Sequence, residues 1–196
     1  SGTSLDGLDI CWVEFFKNKN WEYKILAADT LAYTPEMKSE LRIAVTKSPK
    51  ALYSLNQSYT IYIAKLINLF IRTNHIKRLD AVCSHGHTVF HQPLKGLTLQ
   101  IGNLPELANY ISQTVVCDFR VQDVAMGGQG APLVPVGDAL LFSQYDFCLN
   151  LGGFANISFQ VKNQRIAFDI CPANITMNHY AEILGCLLYT SDAADE

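Results

Sequence analysis

The chain has 196 residues, 49% of them hydrophobic and 17% charged, and a net charge of −3. That composition suits a globular chain long enough to bury a real core, and it offers no basic footprint for nucleic acid or an acidic membrane surface. The most hydrophobic stretch, Ile61 to Ile71, is broken by Lys65 and Asn68 and falls well short of the roughly 20 apolar residues of a membrane span.

The chain opens on SGTSLDGLD, without an initiating Met. Small residues let backbone N–H groups approach phosphate oxygens, and the hydroxyls of Ser1, Thr3 and Ser4 can donate further hydrogen bonds, so Ser1, Gly2, Thr3 and Ser4 form a candidate phosphate loop. Asp6 or Asp9 can reach a hydrated Mg²⁺, which favours a carboxylate plus waters; the alternative for the whole stretch is a simple Gly/Ser turn. Leu8 to Phe16 and Trp21 to Ala32 are aromatic and β-branched enough for strands, with Asn18-Lys19-Asn20 as a hairpin turn. Pro35 starts a helix running to about Lys47. Ser48-Pro49 starts a second, whose residues Leu52, Leu55, Tyr59, Tyr62, Ile63, Leu66, Ile67 and Phe70 repeat at helical spacing and make one long apolar face.

After Asp80 the texture changes to short apolar runs bounded by glycines. Ala81 to Ser84, Leu97 to Ile101 and Thr114 to Phe119 read as buried strands, with helices over Pro105 to Ser112 and Pro135 to Phe142. Asp146 to Leu151 and Asn156 to Val161 are strands flanking Gly152-Gly153-Phe154, Arg165 to Asp169 is another strand, and Asn174 to Leu184 is a closing helix. This order is α/β with mixed sheets. The glycine turn near residue 150 echoes the one at residue 1, which suggests two related lobes, each offering N–H groups to phosphate. Asn150, Gly152 and Gly153 are therefore a second candidate phosphate loop, with an ordinary two-glycine hairpin as the alternative.

Other side chains invite chemistry. In CSHGHTVFHQP (83–93), His85, His87 and His91 carry an H-x-H spacing that tempts a metal reading, but no acidic or Cys ligand accompanies them. Arg120, in DFR, can hold a carboxylate bidentately or pair with Asp118 or Asp123. Gln129, in GGQGAPLVP, can hydrogen-bond a polar ligand or simply sit in a connecting loop. Asp169 ends the apolar strand of AFD, a usual place for a catalytic carboxylate. The six cysteines, at 11, 83, 117, 148, 171 and 186, form no C-x-x-C pair and mostly lie in apolar runs, so they read as reduced, buried and cytoplasmic.

The segments SGTSLDG (1–7), CSHGHTVFHQP (83–93), LQIGN (99–103), VVCDFR (115–120), GGQGAPLVP (127–135), LNLGGFANIS (149–158) and AFD (167–169) together resemble the anhydro-N-acetylmuramic acid kinases. These belong to the superfamily of sugar kinases, actin and heat-shock ATPases. The resemblance implies ribonuclease H-like, actin-like ATPase lobes and a longer protein: 1–143 as the N-terminal lobe lacking its first strand, and 144–185 as the start of a second lobe. It implies ATP and Mg²⁺ as cofactors and a small amino sugar as substrate, with no nucleic acid or membrane partner, and a homodimer is an open expectation for the full-length protein. It casts Asp169 as general base and places His87, Thr88, Arg120, Gln129 and Asn174 on the sugar side.

Three departures accompany the resemblance. The family commonly carries Gln at the position of His87. It often has further arginines where Val121 and Gln122 stand here, and it has glycines around the Pro and Asn that appear here as Cys171-Pro172-Ala173-Asn174. The implied reaction opens 1,6-anhydro-N-acetylmuramic acid and phosphorylates it for cell-wall recycling. Another small-molecule kinase of the superfamily, or a non-catalytic sugar- or nucleotide-binding protein with actin-like lobes, are the alternatives. The last eleven residues, CLLYTSDAADE, are similar to a translated transposase sequencing adaptor. On that expectation 186–196 is an artefact, the reading frame is cut at both ends, and the fragment by itself is inactive.

Overall fold

Thr34 and Ser48 each precede a proline, and in the computed structural model each begins a helix. The structure describes residues 5, 7–131 and 133–185. Ser1, Gly2, Thr3, Ser4 and Asp6 of the candidate phosphate loop, and the 186–196 tail, lie outside the described residues. The Thr34 hydroxyl accepts from the N–H of Met37 at 3.3 Å and opens α1 (Pro35–Arg42). The Ser48 hydroxyl accepts from Ala51 at the same distance and opens α2 (Pro49–Thr73). Proline lacks the N–H that would be unpaired there in any case. The first helix is shorter than its expected run to Lys47. It stops at Arg42 and gives way to a 3-10 turn over Ala44–Thr46, where β-branched Ile43, Val45 and Thr46 crowd the helix and the Thr46 hydroxyl takes the Ile43 carbonyl at 2.8 Å.

The chain divides into two units, one from residues 7–14 and 24–131, the other from 15–23 and 133–185. The first is organised on α2. Leu52, Leu55, Tyr59, Ile63, Ile67 and Phe70 of its expected apolar face are buried, joined by Thr60 and Ala64, while Tyr62 and Leu66 lie at the margin. Against this face pack Tyr33, Leu41 and Ala44 from before it, and Ile101, Leu107 and Ile111 from after it. The phenols of Tyr33 and Tyr59 hydrogen-bond at 2.7 Å inside the core, which lets two aromatic polar groups be buried without an orphan.

β1 (Gly7–Lys17) and β2 (Trp21–Ala32) form the expected hairpin. β3 (Val82–Cys83) and β6 (Val115–Val116) make a short parallel pair. β4 (His87–Gln92) and β5 (Leu97–Ile101) are antiparallel, with a bulge between Thr88 and Phe90. Two of these elements were not expected: β4, and α4 (Phe119–Ala125), which replaces the end of the strand read over 114–119. α3 (Glu106–Ile111) lies on α2, where the Asn68 amide donates to the Tyr110 carbonyl at 3.0 Å.

The second unit holds α5 (Leu133–Leu141), a three-stranded antiparallel meander of β7 (Phe147–Leu151), β8 (Phe154–Val161) and β9 (Gln164–Pro172), and α6 (Asn174–Ile183). The tip of the first hairpin belongs to it, with Tyr23 meeting Phe142 edge-on at 5.8 Å. The lobe boundary expected after residue 143 falls within this unit, between α5 and β7. The chain is thus α/β, the strands among its described residues shared by four small sheets. The five described cysteines are free, but Cys11, Cys83 and Cys171 are exposed and the others half-buried, so their expected burial is corrected. Position within an apolar run does not choose the inward face of a strand. No described helix is long and apolar enough to cross a membrane.

Leu107 is fully buried beneath α2. Leu107→Ala should lower the unfolding free energy by about 2–5 kcal/mol, read from the urea midpoint at constant m-value.

Candidate functional site

In the first unit, VVCDFR turns sharply after its strand. Asp118 sits at φ 57°, ψ 33°, in the left-handed region, and swings the chain from β6 into α4; Asp is among the few non-glycine residues that tolerate this. Arg120 and Asp123, one turn apart on α4, then face the 127–130 loop. The Arg120 Nη1 donates to the Gly130 carbonyl at 3.0 Å, and the Gly130 N–H donates to Asp123 Oδ2 at 2.6 Å. Arg120 Nε donates to His85 Nε2 at 2.9 Å. An ion pair with Asp118 or Asp123 was the alternative for Arg120; its partners are instead an imidazole and a carbonyl.

A guanidinium only donates, so His85 Nε2 accepts and its proton sits on Nδ1, 3.0 Å from the Gly86 carbonyl. Burial, with the neighbouring guanidinium adding to it, holds this imidazole below its ordinary pKa. The turn carrying His85 is pinned from the side: Asn103 donates to the His85 carbonyl at 3.2 Å and accepts from the Ser84 hydroxyl at 2.8 Å. Gly86, at φ 71°, leaves no room for a side chain against the Ile101 carbonyl.

The β4–β5 pair separates the histidines. Thr88, Thr98 and Gln100 form a polar group in which the Gln100 amide donates to Thr98 at 2.9 Å and Thr88 at 3.4 Å, and His91 Nδ1 lies 3.3 Å from the Thr98 hydroxyl. The His91 ring also lies against the 127–130 loop, its Cε1 beside Gly130. His87 is turned into the core, 8% exposed, its ring edge-on to Tyr59 at 6.3 Å. Thr88 is thus connected by hydrogen bonds to His91, which packs against the loop that carries Gln129 and that Arg120 holds, and His87 is not on their face. Among the described residues no group of three metal-ligating side chains occurs. Asp9 lies exposed on β1, accepting from the Thr30 hydroxyl at 2.8 Å.

In the second unit the register aligns three polar residues. Asn150 of β7 stands opposite Asn156 of β8, which stands opposite Asp169 of β9. Directly opposed residues share a face, so the candidate base and the candidate phosphate-loop Asn lie in one row with Asn156 between them. Asn156 closes the stretch read from the sequence as the second phosphate loop, and the bulge after Ala155 sets the register that brings it opposite Asp169. The Gly152-Gly153 bend is held by the start of α6. The Asn174 N–H donates to the Gly152 carbonyl at 3.1 Å and the Ala173 N–H to the Gly153 carbonyl at 2.9 Å. In a trans peptide the N–H opposes its carbonyl, so the Gly153 N–H points away from α6. The Asn174 side chain donates to the Leu151 carbonyl at 3.1 Å, making it a latch on the bend.

α5 is fastened to the same sheet face. Asp138 accepts a short hydrogen bond from Ser158, and Arg165 donates to Ser158 at 2.8 Å and to Cys148 Sγ at 3.2 Å. The spacing of the prolines and glycines in GGQGAPLVP gave no sign of this cluster; an Asp inside an apolar helix and a Ser in a buried strand were its faint signals.

The family model described as "Anhydro-N-acetylmuramic acid kinase" matches residues 1–195. The anhydro-N-acetylmuramic acid kinase of Pseudomonas putida is 37% identical over 191 residues, covering 93% of this chain and 52% of that protein. Those of Pseudomonas fluorescens and Acinetobacter baylyi are 36% and 35% identical, over 91% and 100% of this chain and 50% and 52% of theirs. The chain spans about half the length of the curated relatives it matches.

His87 carries a pH dependence. Burial first, with the neighbouring His85 adding to it, pulls its pKa from 6.5 to about 4, and its Nδ1 has no hydrogen-bond partner among the described residues. Between these values the unfolded chain binds a proton that the folded one refuses. Stability is therefore fully present above pH 6.5, declines as pH falls toward 4, and levels off below. The total loss should be about 3 kcal/mol, and His87→Gln should flatten the slope in urea midpoints measured from pH 7.5 down to 4.5.

Proposed function

The chain belongs to the anhydro-N-acetylmuramic acid kinase family, and from that premise we propose that the full protein is an ATP-dependent kinase that hydrolytically opens 1,6-anhydro-N-acetylmuramic acid and phosphorylates its 6-oxygen. The observation that carries the reading is the row Asn150–Asn156–Asp169 beside a bend whose Gly153 N–H is turned away from α6. A carboxylate for proton removal and a backbone donor for phosphate then sit on one small sheet.

In this reading Asp169 takes a proton from water, and the water oxygen bonds to the anomeric carbon while the bond from that carbon to the 6-oxygen breaks. The departing 6-oxygen bonds to the γ-phosphorus of ATP, and the β–γ bridging oxygen leaves with ADP. The phosphoryl group stabilises the leaving oxygen, the role a carboxylic acid plays in inverting glycosidases, so one carboxylate suffices. Phosphoryl transfer otherwise asks mainly for positioning and charge stabilisation. The second-unit residues Asn150, Gly152 and Gly153 serve the phosphates, and Ser1, Gly2, Thr3, Ser4 and Asp6 are a separate set of candidates for the same role. Thr88, Arg120 and Gln129 serve the sugar, Arg120 through the Nη2 that His85 and Gly130 leave unused.

A kinase family implies ATP, and ATP chemistry implies Mg²⁺. Mg²⁺ asks for a carboxylate or two, with waters and phosphate oxygens completing its octahedron, and the exposed Asp9 carboxylate fits that demand through water. When bound, the ion supplies neutralisation of phosphate charge. We place the reaction in the cytoplasm, where ATP is available.

The test is the full-length gene product incubated with the anhydro sugar and ATP, with the 6-phosphate detected by mass spectrometry. Asp169→Asn should lower kcat about a thousandfold with both KM values little changed. No product from the wild-type enzyme, or a variant retaining a tenth of its kcat, sinks the reading.

A further inference from the structure

We infer that Asp123 is a positioning residue for sugar recognition, holding the 127–130 loop so that Gln129 is presented to the substrate; the substrate half of this inference rests on the kinase reading above. The loop contains three glycines in four residues, and unclamped it would sample many conformations, since glycine loses more freedom on ordering than any other residue. In the structure the N–H groups of all three glycines and the carbonyl of Gly130 are engaged. The Gly127 N–H donates to the Val124 carbonyl at 3.0 Å and the Gly128 N–H to the Asp123 carbonyl at 2.8 Å. The Gly130 N–H goes to the Asp123 carboxylate at 2.6 Å and the Gly130 carbonyl to Arg120 at 3.0 Å. Asp123 thus grips the loop twice, through its main chain and its side chain, and the side-chain bond is charge-assisted and short.

The glycines fit this clamp sterically. A side chain at Gly128 would overlap the Asp123 carboxylate. At Gly130, φ 67°, a Cβ would lie 2.8 Å from Val124 Cγ2 and 3.2 Å from His91 Cε1. Gly127 stands at φ 85° over open space, so only its backbone conformation requires glycine. What the clamp leaves over is the Gln129 side chain, exposed and without a hydrogen-bond partner among the described residues. A loop that only connects two elements needs no such immobilisation. One that holds an amide toward a ligand does, because recognition weakens when a donor must be ordered at the moment of binding.

In the full-length enzyme, Asp123→Ala should raise KM for the anhydro sugar about tenfold, the usual loss when a hydrogen bond to a charged group is removed. KM for ATP should stay within about twofold, the split expected when one substrate's binding is affected. Asp123→Asn keeps an acceptor for the Gly130 N–H and should restore sugar KM. Gly128→Ala, which pushes the loop off the carboxylate from the other side, should reproduce the alanine phenotype and guards against a variant that fails to fold. Peptide-resolved hydrogen exchange over 127–131 should be faster in Asp123→Ala and wild-type in Asp123→Asn. Equal rises in both KM values, an asparagine variant as impaired as alanine, or unchanged exchange overturns the proposal. If the wild-type enzyme leaves the sugar untouched, the kinase reading falls by itself, and the exchange measurement still decides on the clamp.

Discussion

The first unit depends on burying one face of α2, and above all on Tyr59. Its ring is fully buried and its phenol is paired with Tyr33. It also covers Gly102, whose φ is 92° and where a Cβ would lie 2.7 Å from the ring. One turn before Tyr59, Asn56 accepts from the Gly102 N–H at 2.7 Å. A single turn of helix therefore fixes the end of β5 sterically and by hydrogen bond. The polar group on β4 follows from that anchor: β5 sets β4 by pairing, β4 sets Thr88 and His91, and His91 packs against the 127–130 loop. The same packing turns His87 inward against Tyr59, so the neutral form of that imidazole is built into the core.

The polar groups that carry the proposed chemistry are held mostly by backbone partners. Arg120 is caught by a carbonyl and an imidazole, Asp123 by two loop N–H groups and Asn174 by the Leu151 carbonyl. Asp138 and Arg165 differ. They form a mostly buried pair at 3.8 Å, with Ser158 between them and Arg165 Nε left without a partner. Desolvation offsets much of what such a pair contributes, and breaking it from one side leaves a charge uncompensated. Its structural effect is directional: it sets α5 on the face of the meander that also carries Asn150, Asn156 and Asp169.

Much of this was legible in the residues themselves. Thr34-Pro35 and Ser48-Pro49 announce helix starts, the apolar spacing from Leu52 to Phe70 announces the buried face, and Trp21–Ala32 and Leu97–Ile101 are strands at their expected bounds. α4 was hidden because it is short and follows a non-glycine residue in the left-handed region, which no local rule demands of Asp118. β4 was hidden because its histidines read as a ligand spacing, and its bulge spoils the alternation that marks a strand. The glycines of GGQG were visible while their reason was not: Gly128 is required by a carboxylate five residues earlier. Asn156 entered the candidate row only through register, which depends on a bulge and on pairing partners far along the chain.

The two candidate groups are rigid in different ways, and the difference follows from what each would bind in the proposed reaction. A phosphate is nearly symmetric and negatively charged, so a few outward N–H groups recognise it from many angles. For that a bend is enough, provided its carbonyls are occupied elsewhere, as the start of α6 occupies those of Gly152 and Gly153. A sugar presents directional hydroxyl and amide groups that differ from one carbon to the next. Distinguishing it requires side-chain donors and acceptors held in fixed positions. The first unit accordingly commits a carboxylate and a guanidinium to the 127–130 loop and packs an imidazole against it, with two more polar side chains, Thr98 and Asn103, on the histidines that support it. The density of support around Gln129 and Arg120, set against the plain backbone bend at Gly152-Gly153, is what a sugar-reading surface and a phosphate-reading surface would each require.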